Sequence, residues 1–430
     1  MGAVQRAVLL WLGLALLNAP ESLAAAGKDK PMVVAGRLRS PLGTMLQADG
    51  QGWKTPALYD PVFVGDLLVA LPGARGVLEV REGDVGLTLL GSLFELSPVP
   101  LLESAVRLHD PGEDDLALTL ERGRVLVENH KDKEASALRL KLGAAEVKVR
   151  LLDKAALALE SYSFYPAGTP FSPKDKNPPG PRREGYLLLV KGKAEIEMQG
   201  EKRSVQAPIV YRWSGGAGLE GPFPLNKSPD WLHPGKNASA KAIALYAAVE
   251  KLRRSLGERP VDKALQDALR GDDANLHGVA LASAAAVDDL GVLLAGLNDS
   301  RHQAARGQAV LALRYWLARG PRQARTLYET LHRSATPVQA EIVLHLLLGF
   351  SETDRARPET YGVLISYLQN DALAIRELAA WNLYRMVPAG AKIAYNAAAP
   401  EAERLQAQHA WRALIPEGKL PPAEKKTPPP

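Results

Sequence analysis

The chain has 430 residues, a formal net charge of +5 and no cysteine. The lack of cysteine excludes disulfides, thiol catalysis, Cys-ligated metal sites and a lipidated Cys, and a chain of this length buries enough apolar surface to fold without covalent cross-links. Basic and acidic residues are interleaved, without the aromatic-studded basic stripe that follows a phosphate backbone, so nucleic acid is not an expected partner.

Residues 1–26 predict a secretory signal peptide. Arg6 precedes the apolar run 7–17, and residues 22–27 form an exit of the A-x-A type. The run is shorter than the about 20 residues that cross a bilayer core, so we expect a cleaved signal, with an uncleaved signal anchor as the alternative. No later segment is apolar for long enough, so the mature chain is expected to lack a transmembrane helix and to be periplasmic or extracellular. Export without cysteine favours a bacterial periplasm.

Residues 32–224 predict an all-β domain, because apolar residues recur at every second position in short runs separated by Gly, Pro and Asp turns. Alternation of this kind buries one face of a sheet and favours an antiparallel sandwich or a β-roll. The predicted strands include residues 77–80, 85–89, 116–120, 125–127 and 146–149.

One pattern occurs twice in this region, at residues 118–127 and 187–196: an apolar strand, a basic residue, Gly, a second basic residue and another strand. The Gly permits a positive φ or a bulge where the chain turns, and the flanking cations are expected to remain in water and discourage edge pairing. An anion site is the alternative interpretation of the four cations, Arg122, Arg124, Lys191 and Lys193.

Residues 64–84 resemble the opening of the FecR-like domain: a Gly-Asp turn, a short strand, a small-residue loop and a strand that ends near a second Gly-Asp turn. The resemblance extends over about residues 32–220 and implies an extracytoplasmic β-module for binding or sensing, without enzymatic activity. Two departures argue against the family's sigma-factor signalling role. A signal sequence takes the place of a cytoplasmic segment and membrane helix, and residues 167–171 lack the Arg of the family's Arg-Gly-Thr-x-Phe segment.

Residues 166–183 are rich in Pro and Lys and predict an exposed, unordered insertion loop, with a partner contact as the alternative. The period of the apolar residues then changes across residues 225–240, which we interpret as the junction between the domains. Residues 240–257 follow the helical i, i+3, i+4, i+7 pattern and predict a connecting helix stopped by Gly257 and Pro260.

Residues 241–416 predict an all-α domain that resembles HEAT-like repeats. The pattern Arg306-x-x-Ala-x-x-x-Leu recurs at Arg376 and, more loosely, at Gln339, with about one helical hairpin per unit. Residues 293–299 and 364–370 share a helix end that carries Asn or Asp. We interpret Arg306 and Arg376 as structural residues, with Asp299 and Asn370 as their expected partners. An irregular helical domain without a groove is the alternative, and residues 417–430 predict a disordered Pro-rich tail.

The sequence predicts no catalytic, cofactor-binding or metal-binding residues. The histidines occur singly, outside H-E-x-x-H or H-x-H arrangements. The adjacent carboxylates at 114–115, 272–273 and 288–289 are expected to cap helices or face solvent. Residues 216–221 match the letters of a dinucleotide fingerprint but precede Pro222, where a helix would be needed.

We therefore predict a multidomain β + α chain that is an exported, non-enzymatic binding or scaffold protein of the cell envelope. Its expected partner is a protein or an envelope polysaccharide, and no cofactor is expected. One alternative is an envelope sensor that signals through a membrane partner. Another is a glycan hydrolase, which needs two carboxylates about 5 to 10 Å apart across a cleft.

Overall fold

The computed structural model describes residues 33–48, 50, 52–93, 101–215, 218–232, 239–416 and 419–422. The predicted signal peptide and most of the predicted Pro-rich tail lie outside these residues. A β-sheet region is followed by a helical region, which confirms the predicted order. The strands are β1 Val34–Leu38, β2 Met45–Ala48, β3 Trp53–Lys54, β4 Pro61–Phe63, β5 Leu67–Ala70, β6 Arg75–Val80, β7 Val85–Leu90, β8 Ser104–Leu108, β9 Leu116–Asn129, β10 Ser136–Leu142, β11 Ala145–Phe164, β12 Arg182–Met198, β13 Glu201–Gln206, β14 Ile209–Ser214 and β15 Glu220–Pro224.

The strands of the β region are longer than the sequence predicts, because two strand pairs separated by a Gly motif are each one continuous strand. The predicted strands at 116–120 and 125–127 both belong to β9. β11 has 20 residues and β12 has 17. The Gly residues of the repeated motif adopt the expected positive φ, with values of 93° at Gly123 and 78° at Gly192, but they bend a strand where a turn between strands was predicted.

Each long strand changes its partners at its bend. The first half of β9 pairs with β8 and β10, and its second half pairs with β7 and β11. The two halves of β12 pair in the same way with β14 and then with β13. The 15-stranded sheet therefore folds over on itself. Its two layers share one buried apolar cluster, which includes Leu87, Val127, Leu140, Val149, Leu159, Leu189 and Ile196.

One strand pair differs from the antiparallel arrangement that we predicted, because β9 and β10 are parallel. Since β9 doubles back at Gly123, its two ends lie close together, and Lys131 Nζ is 2.8 Å from Asp115 Oδ1. The short connection after β9 therefore starts β10 beside the beginning of β9, in the same direction.

The helical region consists of stacked hairpins. Its helices are α1 Ala240–Glu258, α2 Val261–Ala268, α3 Ala274–Ala286, α4 Leu290–Leu297, α5 Gln303–Leu317, α6 Pro321–His332, α7 Pro337–Leu348, α8 Glu352–Arg355, α9 Pro358–Tyr367, α10 Leu373–Met386 and α11 Glu401–Ala413. α4 packs on α5, α6 on α7 and α9 on α10, and the second helices α3, α5, α7 and α10 contact one another in series. The recurring pattern at Arg306, Gln339 and Arg376 marks α5, α7 and α10, the second helices of three hairpins.

The β and helical regions share a hydrophobic core. Leu46, Val69 and Leu71 of the sheet region belong to the same buried cluster as Val249 and Leu252 of α1. α1 extends through Gly257 to Glu258, one residue beyond the predicted end, after Ser239 caps its first turn. The predicted connecting helix therefore joins the two regions by direct packing.

The junction also packs against the sheet. Leu225, Trp231 and Leu232 contact the cluster around Ala158 and Leu188, on the face of the sheet opposite its interior. Residues 233–238 lie outside the described part of the chain.

Residues 166–181 of the Pro- and Lys-rich segment form an irregular and mostly exposed loop, as predicted, but contacts with the helical region fix its position, so the loop is not unordered. The ring of Phe171 lies 5.8 Å from that of Tyr328 on α6. The backbone N–H of Gly168 donates to the carbonyl of Leu348 over 3.4 Å, and Arg325 donates to the carbonyl of Asp175 over 2.7 Å. The contact partner of this segment is the helical region of the same chain.

Candidate functional site

A cleft of about 120 Å³ lies where the folded sheet meets the helical hairpins. Strands β9, β11 and β12 supply one wall, and α5 with the start of α6 supplies the other. The lining residues are Glu121, Arg122, Tyr162, Ser163, Arg183, Tyr315, Ala318, Arg319 and Gln323. Both regions are therefore needed to form this site.

The bend of β9 places Arg122 in the wall of the cleft. Its Nε forms an ion pair with Glu103, whose side chain is fully buried, and its Nη2 donates to the carbonyl of Ala286 over 3.2 Å. Burial alone would lower the pKa of Arg122, but the field and hydrogen bond of Glu103, together with Tyr315 and Asp288, outweigh burial and leave this pKa above its ordinary value. The expectation that Arg122 remains in water is wrong.

The second arginine of the same motif is also buried. Arg124 Nε donates to Glu160 over 2.5 Å, and its guanidinium lies 4.9 Å from the ring of Trp231. Lys191 and Lys193 of the other motif are exposed, as predicted. The four cations therefore do not assemble into one site, and only Arg122 lines the cleft.

Arg319 reaches the cleft from the C-terminal end of α5. Its Nη1 donates to the carbonyl of Ala285 over 2.7 Å and lies 3.0 Å from Asp288 Oδ1. Arg319 and Arg122 thus bond successive carbonyls at the end of α3, where a helix has acceptors without intrahelical partners and a partial negative charge. Burial, together with the charge of Arg122, lowers the pKa of Arg319, and Asp288 opposes that effect.

Arg183 is the third arginine of the lining, and it stands near the start of β12. Its Nη2 donates to the carbonyl of Glu121 over 2.8 Å. Burial lowers the pKa of Arg183, Glu121 opposes this, and the charge of Arg122 lowers it further. Arg122, Arg319 and Arg183 all remain protonated at neutral pH, because the ordinary pKa of Arg is far above neutral.

The arginines of the cleft differ in their ion pairs. Arg122 pairs with Glu103, Arg319 with Asp288 at 3.0 Å, and Arg107 with Glu121 at 3.5 Å. Within the described part of the chain Arg183 forms no ion pair. The lining itself contains three arginines and one carboxylate, Glu121, while Glu103, Asp288 and Glu184 lie outside the lining and contact Arg122, Arg319 and Tyr162.

Two tyrosines complete the polar lining. Burial raises the pKa of Tyr315, and burial together with a hydrogen bond to Glu184 raises that of Tyr162. The Tyr162 hydroxyl donates to Glu184 over 3.0 Å. Among the described residues, the buried Tyr315 hydroxyl and Glu103 Oε2 have no hydrogen-bond partner. Both tyrosines therefore remain neutral donors at physiological pH.

The hydrolase hypothesis requires two facing carboxylates, and the lining of this cleft contains one, Glu121. The structural interpretation of two other arginines is confirmed. Arg306 donates to the carbonyl of Asp299 over 2.7 Å, and Arg376 donates to the carbonyl of Asn370 over 2.6 Å. In both cases the acceptor is a backbone oxygen.

The paired carboxylates also occupy structural positions. Asp273 and Asp289 accept from backbone N–H groups at the starts of α3 and α4, as the sequence predicts. Asp272 faces His302 Nε2 at 3.0 Å, and His302 Nδ1 lies 2.8 Å from Asp299 Oδ2. Among the described residues no group of three or more His, Asp or Glu side chains has a metal-binding arrangement.

Sequence reasoning missed Arg183, Arg319 and Glu103 as members of the site. Arg183 ends the Pro-rich segment, and Arg319 precedes Gly320 and Pro321, so each has the local pattern of a solvated turn. For Arg319 the available signal was a basic residue immediately after a helix, a position from which side chains bond the carbonyls of a helix end.

No protein-family model, curated protein or solved structure matches this chain. Within the described ranges, no helix combines the length and apolar character needed to cross a bilayer.

Proposed function

We propose that the chain is an exported, non-enzymatic binding or scaffold protein of the cell envelope, with a FecR-like β-module and a HEAT-like helical array. The observation that carries this proposal is the cleft lined by side chains of both regions. Arg122 and Arg319 are held in place by helix-end carbonyls and ion pairs, and Arg183 is held by the carbonyl of Glu121 in β9. Guanidinium groups fixed in this way recognise a ligand without exchanging protons with it.

The stacked hairpins support the scaffold part of the proposal. Arrays of helical hairpins present extended surfaces to protein partners. Because the sheet and the array share a core, a partner on the array and a ligand in the cleft contact two regions that are packed against each other. The FecR-like resemblance of residues 64–84 adds the expectation of an extracytoplasmic binding module.

The proposal is tested with the full mature chain, because the two regions share a core and are not expected to fold separately. The chain is expressed in a bacterium with its own first 26 residues, and we expect it in the periplasmic fraction with Gly27 as its N-terminus. Immobilised mature protein is then incubated with envelope extract. We expect it to retain a specific protein or polysaccharide that the heat-unfolded chain does not retain, and failure to retain either one would contradict the proposal.

A further inference from the structure

We propose that the interface cleft binds the carboxylate group of an acidic ligand, with Arg183 as the residue that pairs with it. The inference rests on the proposed binding function and names the chemistry of its ligand. Three observations carry it: the unbalanced charge of Arg183, the polar donors around it and the size of the cleft.

The charge argument begins with the cost of burying a cation. Arg183 is partly buried, and its one hydrogen bond within the described residues goes to the neutral carbonyl of Glu121. Burial disfavours the cation and the nearby charge of Arg122 adds to the penalty, and the field of Glu121 offsets these effects only in part, since the pKa of Arg183 remains lowered. An anion in the cleft offsets both effects, and the remaining N–H groups of the guanidinium fork match the two oxygens of a carboxylate.

The other walls provide hydrogen-bonding groups. Ser163, Gln323 and the hydroxyl of Tyr315 line the cleft. The Tyr315 hydroxyl is fully buried beside Glu103, and burial together with the negative charge of Glu103 raises the pKa of this tyrosine, so Ser163 and Gln323 are the groups open to a ligand. These neutral groups orient a ligand without adding charge.

Charge and size favour a carboxylate over a phosphate group. A phosphate monoester carries about −1.5 to −2 charges at neutral pH, so Glu121 repels it more strongly than it repels the single charge of a carboxylate. The cleft volume of about 120 Å³ is smaller than the roughly 300–1,000 Å³ of pockets that enclose a whole ligand. The cleft therefore receives the acidic end of a ligand, and the remainder lies outside.

Two sources of carboxylate are distinguished by the probes. D-Glucuronate represents an acidic sugar and N-acetylglycine represents a peptide terminus, with glucose as the neutral control and inorganic phosphate as the competing anion. Binding to the mature full chain is measured by isothermal titration calorimetry and by competition between probes. We expect at least one carboxylate to bind in competition with the other, glucose not to bind, and phosphate to bind more weakly. The tighter carboxylate identifies the source.

The variants assign the binding to Arg183. We expect Arg183→Gln to weaken the carboxylate by roughly tenfold or more, the loss typical of a charge-assisted hydrogen bond. Arg182→Gln is the matched control, because it makes the same change at the adjacent exposed residue and should leave affinity unchanged. Gln323→Glu is isosteric and adds a carboxylate to the lining, so it should also abolish binding. It serves as the second test if Arg183→Gln does not fold.

The inference is overturned if neither carboxylate binds, if phosphate binds more tightly than both, or if Arg183→Gln and Gln323→Glu, both folded by circular dichroism, bind as the wild type does. Envelope extract applied to the same wild-type protein separates the two proposals. Retention of a partner without carboxylate binding refutes this inference alone, whereas loss of both refutes the proposed function as well.

Discussion

Arg306 lies entirely inside the helical region, where its guanidinium bonds three separate segments. Nε pairs with Glu377 at 2.7 Å, Nη1 donates to the carbonyl of Asp299 at 2.7 Å, and Nη2 donates to Asn396 Oδ1 at 2.5 Å. One side chain thus joins α5 to α10 and to the segment before α11. The repeat pattern identified this arginine and the Asp299 contact, but Glu377 and Asn396 are too distant in sequence for a local pattern to indicate.

Removal of Arg306 is expected to be strongly destabilising. Burial raises the pKa of Glu377, and without Arg306 this carboxylate has no counter-ion. Breaking a buried pair in this way costs about 3–5 kcal/mol, so Arg306→Ala should lower the free energy of unfolding by that amount in urea titrations. The exposed Arg301→Ala is the control, with an expected change within about 0.5 kcal/mol. Equal effects of the two substitutions would contradict the structural role.

His302 makes the stability depend on pH. Hydrogen bonds to Asp299 and then to Asp272 raise its pKa, while the nearby Arg301 opposes them. Because the folded pKa is above the ordinary value of about 6.5, its stabilising contribution is complete below that value and is lost as the pH rises through the folded pKa. His302→Gln should therefore lower the melting temperature at pH 5.5 and have little effect at pH 9. A difference in melting temperature between the wild type and His302→Gln that is the same at pH 5.5 and at pH 9 would be inconsistent with a charged His302.

At the scale of elements, the bends of the long strands determine where the cleft forms. Gly123 has a φ of 93°, and a Cβ at this position would lie 2.4 Å from the carbonyl oxygen of Glu103 and from Ser104 Cα. The glycine therefore permits the close approach that brings Arg122 to Glu103. The sequence predicted the unusual φ but not that approach, since the approach depends on a strand that is distant in the chain.

Two glycine substitutions separate these effects. Gly200 has a φ of 83° in the turn between β12 and β13, and no atom lies within 4 Å of its added Cβ. Gly200→Ala should lower the free energy of unfolding only by the conformational penalty, which is about 1–2 kcal/mol. Gly123→Ala adds a clash with the backbone of Glu103 and Ser104, so it should lower the free energy of unfolding by clearly more in the same urea titrations. The explanation fails if Gly123→Ala is the milder substitution.

At the scale of the whole molecule, the two regions share one hydrophobic core, so we expect them to unfold as one cooperative unit. Leu252 of α1 is 3% exposed and belongs to the cluster that contains sheet residues Leu46 and Val69. Its replacement by Ala leaves a cavity between the regions.

We expect Leu252→Ala to reduce the stability by about 2–5 kcal/mol and to lower the unfolding midpoints of strands and helices together. Far-ultraviolet circular dichroism and hydrogen exchange of β and helical peptides measure the two regions separately. The exposed Ile243→Ala on the same helix is the control and should have little effect, since this side chain is 61% exposed. Two separate transitions would show that the regions are independent.

The periodicity of the sequence was sufficient to predict the order of the regions, α1 and the second helices of three hairpins. Periodicity could not predict the interface between the regions, because contacts such as Arg122 to Ala286 and Trp53 to Val287 join residues that are 164 and 234 positions apart. Taken alone, the sequence motif around Arg122 indicates a solvated turn. Arg122 is buried because its side chain packs against the C-terminal end of α3. The cleft is therefore a property of the assembled regions.

The sheet region covers one side of the helical stack. It donates to the carbonyls of Ala286, Val287 and Leu348, at the C-terminal ends of α3 and α7. The turns at 298–302, 333–336 and 369–372 lie at the other ends of the hairpins, and the sheet makes no hydrogen bond to them in the described part of the chain. The two ends of the stack therefore differ: the sheet region covers the end that carries residues 286, 287 and 348, and the turn end is free of hydrogen bonds to the sheet among the described residues.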